Sequence, residues 1–194
     1  MSTLISVEEP QSGAGSSSYS GYISTSAVTL ARAAREHIRT YGRVPSGYLR
    51  EEIELSWRRS LRAGVPCQAS RFEQGDEGWR GKVLVEEHSL LLEAALADVE
   101  ALHQQLGPDY LVMLANPDAR VLFSLGHVDS RDMDIKAVSR PGMCWQESLM
   151  GTNAIGTAIT ERTPVHILAG EHYLEKLAPL SCCSAPIMDA NGQI

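Results

Sequence analysis

Between Arg140 and Ile187 the chain gathers side chains that do more than pack: Cys144, Trp145, Glu147, Asn153, His166, Glu171, His172, Tyr173, Cys182 and Cys183. Thiols, imidazoles, carboxylates, a carboxamide and amphipathic aromatics set among apolar residues have the composition of a small-molecule pocket, which needs an apolar lining and a few placed polar groups. The commonest catalytic signatures are missing. No Gly-Lys-Ser/Thr phosphate loop, dinucleotide-binding glycine pattern after a strand, serine nucleophile elbow or paired-histidine metal helix occurs. The spacing of Cys144, His172 and Cys182 matches no standard metal pattern. Nothing strongly cationic in sequence adjoins the thiols to activate them. The expected chemistry is recognition, with no catalytic residue, metal or cofactor assigned.

Five residues are the candidate ligand-binding set: Trp145, Asn153, His172, Tyr173 and Cys182. Each has a second, purely structural reading. Trp145 lines a site or anchors a core. Asn153 bonds a ligand or supports the first turn of a helix. His172 meets a polar effector, titrates near neutral pH, or is satisfied by backbone. Tyr173 offers an apolar ring with a polar tip, useful in a pocket and ordinary in a core. Cys182 is a reactive thiol or a small buried hydrophobe. Glu171 reads as a helix-start charge.

The elements that hold these residues follow from periodicity. Residues 1–25 are Ser- and Gly-rich, with Gly13-Ala14-Gly15-Ser16-Ser17-Ser18, and read as a disordered tail. A helical segment is expected over 26–82. Its first helix is capped at Ser26, carries Leu30, Ala34, Ile38 and Tyr41 on one side, and stops at Gly42. The second runs from Ser46 to Ala63 with the stripe Leu49, Ile53, Trp57 and Leu61, and its Arg58, Arg59 and Arg62 read as a solvated helix end. Arg71 to Lys82 reads as a loop in which Trp79 packs on a neighbour. A second domain is expected over 83–194. It starts with one long helix, Val83 to Leu106, striped by Leu92, Leu96, Val99, Leu102 and Leu106, which packs on its own domain or on a second helix.

A hairpin comes next: Tyr110 to Ala115, a turn at Asn116-Pro117-Asp118-Ala119, and Val121 to Leu125. Arg131 to Lys136 reads as loop. Two short helices, Trp145 to Met150 and Thr152 to Ile159, break at Gly151, with Thr152 as cap. Pro164 to Leu168 is a strand, Glu171 to Leu177 a helical turn, Leu180 to Met188 a strand, and Asp189-Ala190-Asn191-Gly192 a turn. The order is α+β with a central antiparallel sheet and flanking helices. A further strand is expected after the turn, so Ile194 reads as the end of a fragment or of a truncated gene product.

Bulk properties narrow the function classes. Residues 1–82 hold 11 basic and 9 acidic side chains, whereas 83–194 hold 6 and 15. The acidic part repels a phosphate backbone, so direct nucleic-acid binding is not expected. There is no secretory signal and no long apolar run, so the expectation is a cytoplasmic chain without a membrane span. The four cysteines then read as reduced.

Pro141-Gly142-Met143-Cys144-Trp145-Gln146-Glu147, Gly151-Thr152-Asn153-Ala154-Ile155-Gly156-Thr157-Ala158-Ile159, Glu171-His172-Tyr173 and Cys182 to Ile187 closely resemble the GAF domain of acetoin-catabolism-type, sigma-54-dependent transcription activators. Ser56-Trp57-Arg58-Arg59-Ser60-Leu61 resembles the helical segment before it, so the resemblance covers roughly residues 45–194. It implies a GAF fold and a pocket for a small effector, such as a hydroxy-ketone or alcohol. It implies AAA+ and DNA-binding parts that lie outside this chain, and a helix-pair contact through Val83 to Leu106 makes a homodimer the expected assembly. The sequence departs from that pattern at Gln146, where Ser or Thr is usual, and in the doubled Cys182-Cys183. Two other readings stand beside the sensor: a protein-interaction module that senses a partner, and a thiol-based GAF-fold reductase using Cys144, Cys182 and Cys183.

Overall fold

The computed structural model describes residues 2–8, 25–68, 78–127 and 135–194. Along the chain run β1 (Ser2–Glu8), α1 (Thr25–Tyr41), α2 (Glu51–Arg62), α3 (Gly78–Glu87), α4 (Ser89–Leu106), β2 (Tyr110–Ala115), β3 (Val121–Gly126), α5 (Ile135–Ser139), α6 (Glu147–Met150), α7 (Ala154–Glu161), β4 (Val165–Ile167) and β5 (Leu180–Pro186). Single 3-10 turns at Ala169–Glu171 and Glu175–Leu177 link β4 to β5. The strands form one antiparallel sheet in the order β3-β2-β1-β5-β4, the α+β architecture expected from the element order.

The strand at the centre of that sheet is a correction. Residues 2–8, read from sequence as part of a disordered tail, pair with β2 from Ser2↔Ala115 to Val7↔Tyr110 and with β5 from Ser2↔Pro186 to Glu8↔Leu180. The physical reason is the sheet itself. With β2 and β5 on either side, an empty slot would leave two rows of unpaired N–H and C=O groups. The run Thr3-Leu4-Ile5-Ser6-Val7 is rich in β-formers. The remainder of the expected tail, residues 9–24, lies outside the described residues.

Both faces of the sheet are covered. Leu111, Met113 and Ala115 on β2 join Leu180 and Cys182 on β5 and Ile167 on β4 in one apolar core. The alternate β2 residues Val112 and Leu114 are buried too, on the side where α4 packs. The long helix expected from Val83 to Leu106 is two helices, broken at His88, whose Nδ1 lies 2.9 Å from the Leu84 carbonyl oxygen. Of the expected stripe, Val99 is buried while Leu96 is 40% exposed, so α4 seats on the sheet by a narrower face than the leucines suggest. The first of these helices begins at Gly78, inside the segment read as a loop. Trp79's side chain lies outside the description, as do residues 69–77 and 128–134. Ile135 and Lys136, also read as loop, open α5.

The upstream helices share the core of the sheet. On α1 the buried residues are Ala31, Ala34 and Ile38; Leu30 and Tyr41 of the expected stripe face solvent. Gly42, at φ +65°, ends the helix, its N–H bonded to the Ile38 carbonyl. Helix α2 starts later than its sequence suggested, after Arg50, and its Ile53 and Trp57 are fully buried. Trp57 stacks edge-on to Tyr173 with ring centroids 5.4 Å apart, lies under the Arg35 guanidinium, and donates through Nε1 to the Glu171 carbonyl at 2.7 Å. That single ring joins α1, α2 and the 3-10 turn. Trp57→Ala is expected to lower the unfolding free energy by about 3–5 kcal/mol. Urea denaturation measures it, and a loss below about 1 kcal/mol would show that α2 docks without this anchor.

Candidate functional site

The five candidate residues are all buried, and the fold brings them into one neighbourhood. Trp145, Tyr173 and Cys182 belong to the same apolar core. Asn153 bonds the Trp145 carbonyl, and the Tyr173 N–H bonds the Thr152 carbonyl at 3.2 Å. Trp145 donates through Nε1 to the Val138 carbonyl at 3.0 Å, so its polar edge is satisfied within the chain. Burial pushes the Tyr173 phenol up to about 12, which keeps it neutral.

Asn153 shows what the Gly-Thr-Asn run is built for. It is Asn153, not Thr152, that caps α7: its Oδ1 accepts from the Gly156 N–H at 2.8 Å. Its Nδ2 donates to the Trp145 carbonyl at 2.7 Å and to the Gly151 carbonyl at 2.8 Å. Both amide hydrogens are thereby spent on backbone. Gly156 is required beside it, because a Cβ there would sit 2.4 Å from the Trp145 carbonyl oxygen. Gly151 is required twice over: its φ is +63°, and a Cβ would meet the Tyr173 ring at 2.7 Å.

The threonines and the glutamate of the same stretch serve a different contact. Glu147, 8% exposed, lies at the start of α6. Its Oε1 accepts from Ser56 at 2.5 Å, from Thr157 at 2.8 Å and from the Arg59 Nη2 at 3.0 Å. Its Oε2 accepts from the Arg59 Nε at 2.6 Å. Ser56 also meets the Thr152 hydroxyl at 2.6 Å, and Arg59 reaches Glu161 at 2.7 Å. Hydrogen bonding to Glu147 holds the Arg59 guanidinium above its ordinary value, partly offset by burial. Arg59, expected at a solvated helix end, is instead the cation of a buried cluster.

A second cluster grips the next loop. Arg50 forks onto Glu171, with Nε–Oε1 at 2.7 Å and Nη2–Oε2 at 2.6 Å, and also donates to the His166 carbonyl. Glu171 accepts from the Leu168 N–H at 2.9 Å, the helix-start role read from sequence, but Arg50 is its charge partner. Arg35 donates to the carbonyls of Gly170, Tyr173 and His172. Three arginines of the upstream helical segment thus hold the two loops that carry the candidate residues. Sequence reading missed them because an arginine's partner lies a hundred residues away and leaves no local pattern.

His172 is the residue left unfinished. It is 1% exposed, and burial pulls its imidazole down to about 4, so the ring is neutral at pH 7. Its Nδ1 lies 3.0 Å from the Ala169 carbonyl oxygen, which can only accept, so Nδ1 carries the hydrogen. Nε2 is then a bare lone pair, buried and without a partner.

None of the five lines either of two grooves found among the described residues. A groove of about 910 Å³ runs past β4 and β5 and includes Arg50, His166 and Cys183. A smaller one, about 340 Å³, lies beside Arg59, Gln146 and Glu147. Among the described residues no group of three or more His, Cys, Asp or Glu is placed to hold a metal, and no helix is long and apolar enough to cross a membrane. None of the four cysteines is in a disulfide.

Residues 91–194 match the family model described as GAF domain. The chain is 31% identical over 150 residues, 75% of its length, to the acetoin dehydrogenase operon transcriptional activator AcoR of Bacillus subtilis (strain 168). It is 26% identical over 135 residues, 69% of its length, to a signal-transduction and transcriptional-control protein of Clostridium beijerinckii. An acetoin catabolism regulatory protein of Cupriavidus necator is 29% identical over 91 residues, 47% of this chain and 14% of that one. The chain spans only 24% of the Bacillus relative and 21% of the Clostridium one. In fold it resembles a chain in the crystal structure of the E. coli DhaR(N)-DhaL complex, with a TM-score of 0.59, 16% identity, and coverage of 74% of this chain and 55% of that one.

Arg59→Ala strands a buried carboxylate and is expected to cost about 3 kcal/mol. Adding Glu147→Ala to it should cost less than the sum of the two single changes, by up to about 3 kcal/mol in a double-mutant cycle. Strict additivity would show that the two groups do not act together. His172 sets an acid limit. Its folded value lies below the unfolded value of 6.5, so the unfolded state binds the extra proton first as pH falls. Stability from this group is full above pH 6.5, declines toward pH 4, and drops by about 3 kcal/mol in all. Chemical denaturation at each pH should show this slope, and His172→Asn should flatten it; an unchanged slope would assign the acid sensitivity to other groups.

Proposed function

Since the chain belongs to the GAF domain family, we propose that it is the signal-sensing region of a bacterial sigma-54-dependent transcription activator, one that binds a small effector and acts on AAA+ and DNA-binding parts outside this sequence. The observation that carries the binding half is the His172 Nε2, a buried lone pair without a partner. Such an atom costs about 1–3 kcal/mol when left unmade. A ligand hydroxyl donated to it would recover that loss.

This chemistry favours an effector that has a hydroxyl and a small apolar body: a hydroxy-ketone or an alcohol. Trp145, Tyr173 and Cys182 supply the apolar wall, and Asn153 holds Trp145 and α7 in place beneath it. His172 is 1% exposed, so a ligand reaching its Nε2 goes with movement of the loop that carries it. Arg35 and Arg50 tie that loop to α1 and α2, and differential affinity for two loop positions would be felt in those helices. The setting is cytoplasmic, the working unit a homodimer, and nucleic-acid contact is left to other parts of the regulator.

A second reading, a module that senses a partner protein, draws on the burial of His172 together with exposed apolar side chains on α3 and α4: Leu90 at 82%, Val83 at 42% and Leu96 at 40%. Thermal unfolding against acetoin and its dione analogue diacetyl separates the two. Acetoin should raise stability with the logarithm of its concentration above Kd, by about 2.7 kcal/mol at a hundredfold excess over Kd. Diacetyl has no hydroxyl to donate and should bind at least tenfold more weakly. His172→Phe should abolish the difference. A chain indifferent to acetoin and to other small hydroxylated metabolites would overturn the effector reading in favour of the partner.

A further inference from the structure

Helix α4 gives only one side to its own domain. Val99 is buried, and Leu92, Ala95, Leu102 and Leu106 are half-buried, on the side that meets β2 and β3. Leu90, Ala94, Ala97 and Ala101 lie on the opposite side, at spacings of four, three and four residues. All four are exposed, and Leu90, at 82%, is the most exposed large apolar side chain among the described residues. Such a row is the seam that one helix offers another. Carboxylates border it: Glu93 and Glu100 on one side, Asp98 on the other. Among the described residues none of these three is in a salt bridge. The 18 residues of α4 include no Lys or Arg.

We infer that the outward face of α4 docks a basic amphipathic helix of a separate protein. The charge pattern decides the occupant. Two copies of α4 side by side would set Glu93 against Asp98 of the other copy when parallel, and flanking carboxylates against their own kind when antiparallel. No register brings a cation to an anion, because the helix has no Lys or Arg. The homodimer therefore belongs to another surface. An anionic lipid surface is repelled by the same carboxylates. The chain's own arginine-bearing helices cannot serve: α1 and α2 pack on the other face of the sheet, where Arg35, Arg50 and Arg59 are engaged. A basic helix meets both demands of the surface. Lys or Arg on its flanks pair with Glu93, Asp98 and Glu100, and Leu, Ile or Met along its seam fills the shallow floor that three alanines leave. Tyr173 and the effector site lie across the sheet, so this surface is distinct from them and each can fail alone.

The test is fluorescence anisotropy of the full chain with two labelled helical peptides of about 20 residues, long enough to run the ~27 Å of α4. Both carry Leu and Ile along the seam; one has Lys on both flanks and the other Glu. The Lys peptide should bind saturably, at least tenfold more tightly than the Glu peptide, and high salt should weaken it. Leu90→Ser leaves the charge unchanged and should weaken the Lys peptide about tenfold. An unchanged Kd would show mere attraction between opposite net charges and overturn the site. Glu93→Lys together with Asp98→Lys should reverse the preference, so that the Glu peptide binds more tightly. Retention of the parent order would also overturn it. These variants change exposed side chains, so circular dichroism and the response to acetoin should match the parent. A chain that ignores acetoin yet takes the Lys peptide in this way would sink the effector reading alone. Sedimentation at neutral pH covers the second copy: a dimer of the parent that Leu90→Ser dissolves would put α4 of another copy on this face, against the proposal.

Discussion

A single buried carboxylate organises this chain. Glu147 lies almost wholly out of water, where an unpaired charge could not stay. It is tolerated because Arg59, Ser56 and Thr157 all donate to it, and those donors come from two separate stretches of chain. Helix α2 therefore cannot leave α6 and α7 without stranding a charge. The same demand fixes where Thr152 and Thr157 must be, which in turn fixes the Gly151 bend and the Asn153 cap.

The residues most diagnostic of the family thus act first as structure. Trp145, Glu147, Gly151, Thr152, Asn153, Gly156 and Thr157 are each held in a cap, a close approach or the Glu147 cluster. What they build is a rigid floor beside His172 and Tyr173. The upstream helices belong to the same body. They share its core through Ile38, Ile53 and Trp57, and Arg35, Arg50 and Arg59 hold its loops. Built this way, the chain has no loose joint between the loop that carries His172 and the helices that precede it. A change under the loop is a change in α1 and α2, because closely packed, hydrogen-bonded groups do not deform independently.

Much of the fold was legible in advance, and the reasons are local. The hairpin from Tyr110 to Gly126 announces itself by period and by Asn116-Pro117-Asp118; Asn116 Oδ1 accepts from the Asp118 and Arg120 N–H groups as a turn asparagine does. Helices α1 and α2, the Gly151 break, β4, β5 and the Asp189 turn follow from the same kind of signal. The misreadings share a cause too. Thr152 and Asn153 are both good caps, and only the demand of Ser56 for the Thr152 hydroxyl decides between them. Residues 2–8 look patternless until a slot between β2 and β5 needs filling.

The sequence by itself determined the α+β class and the family, because periodicity, turn chemistry and a dense motif act over a few residues. Only the tertiary structure decided what the Trp145 to Ile159 stretch does. Arg59 and Glu147 are 88 positions apart, and Arg50 and Glu171 are 121 apart. It also left His172 with a bare nitrogen, and it turned Leu90 outward. Charge pairing, orphaned polar atoms and the choice of which helix face is covered are properties of chains already brought together, and no short window of residues encodes them.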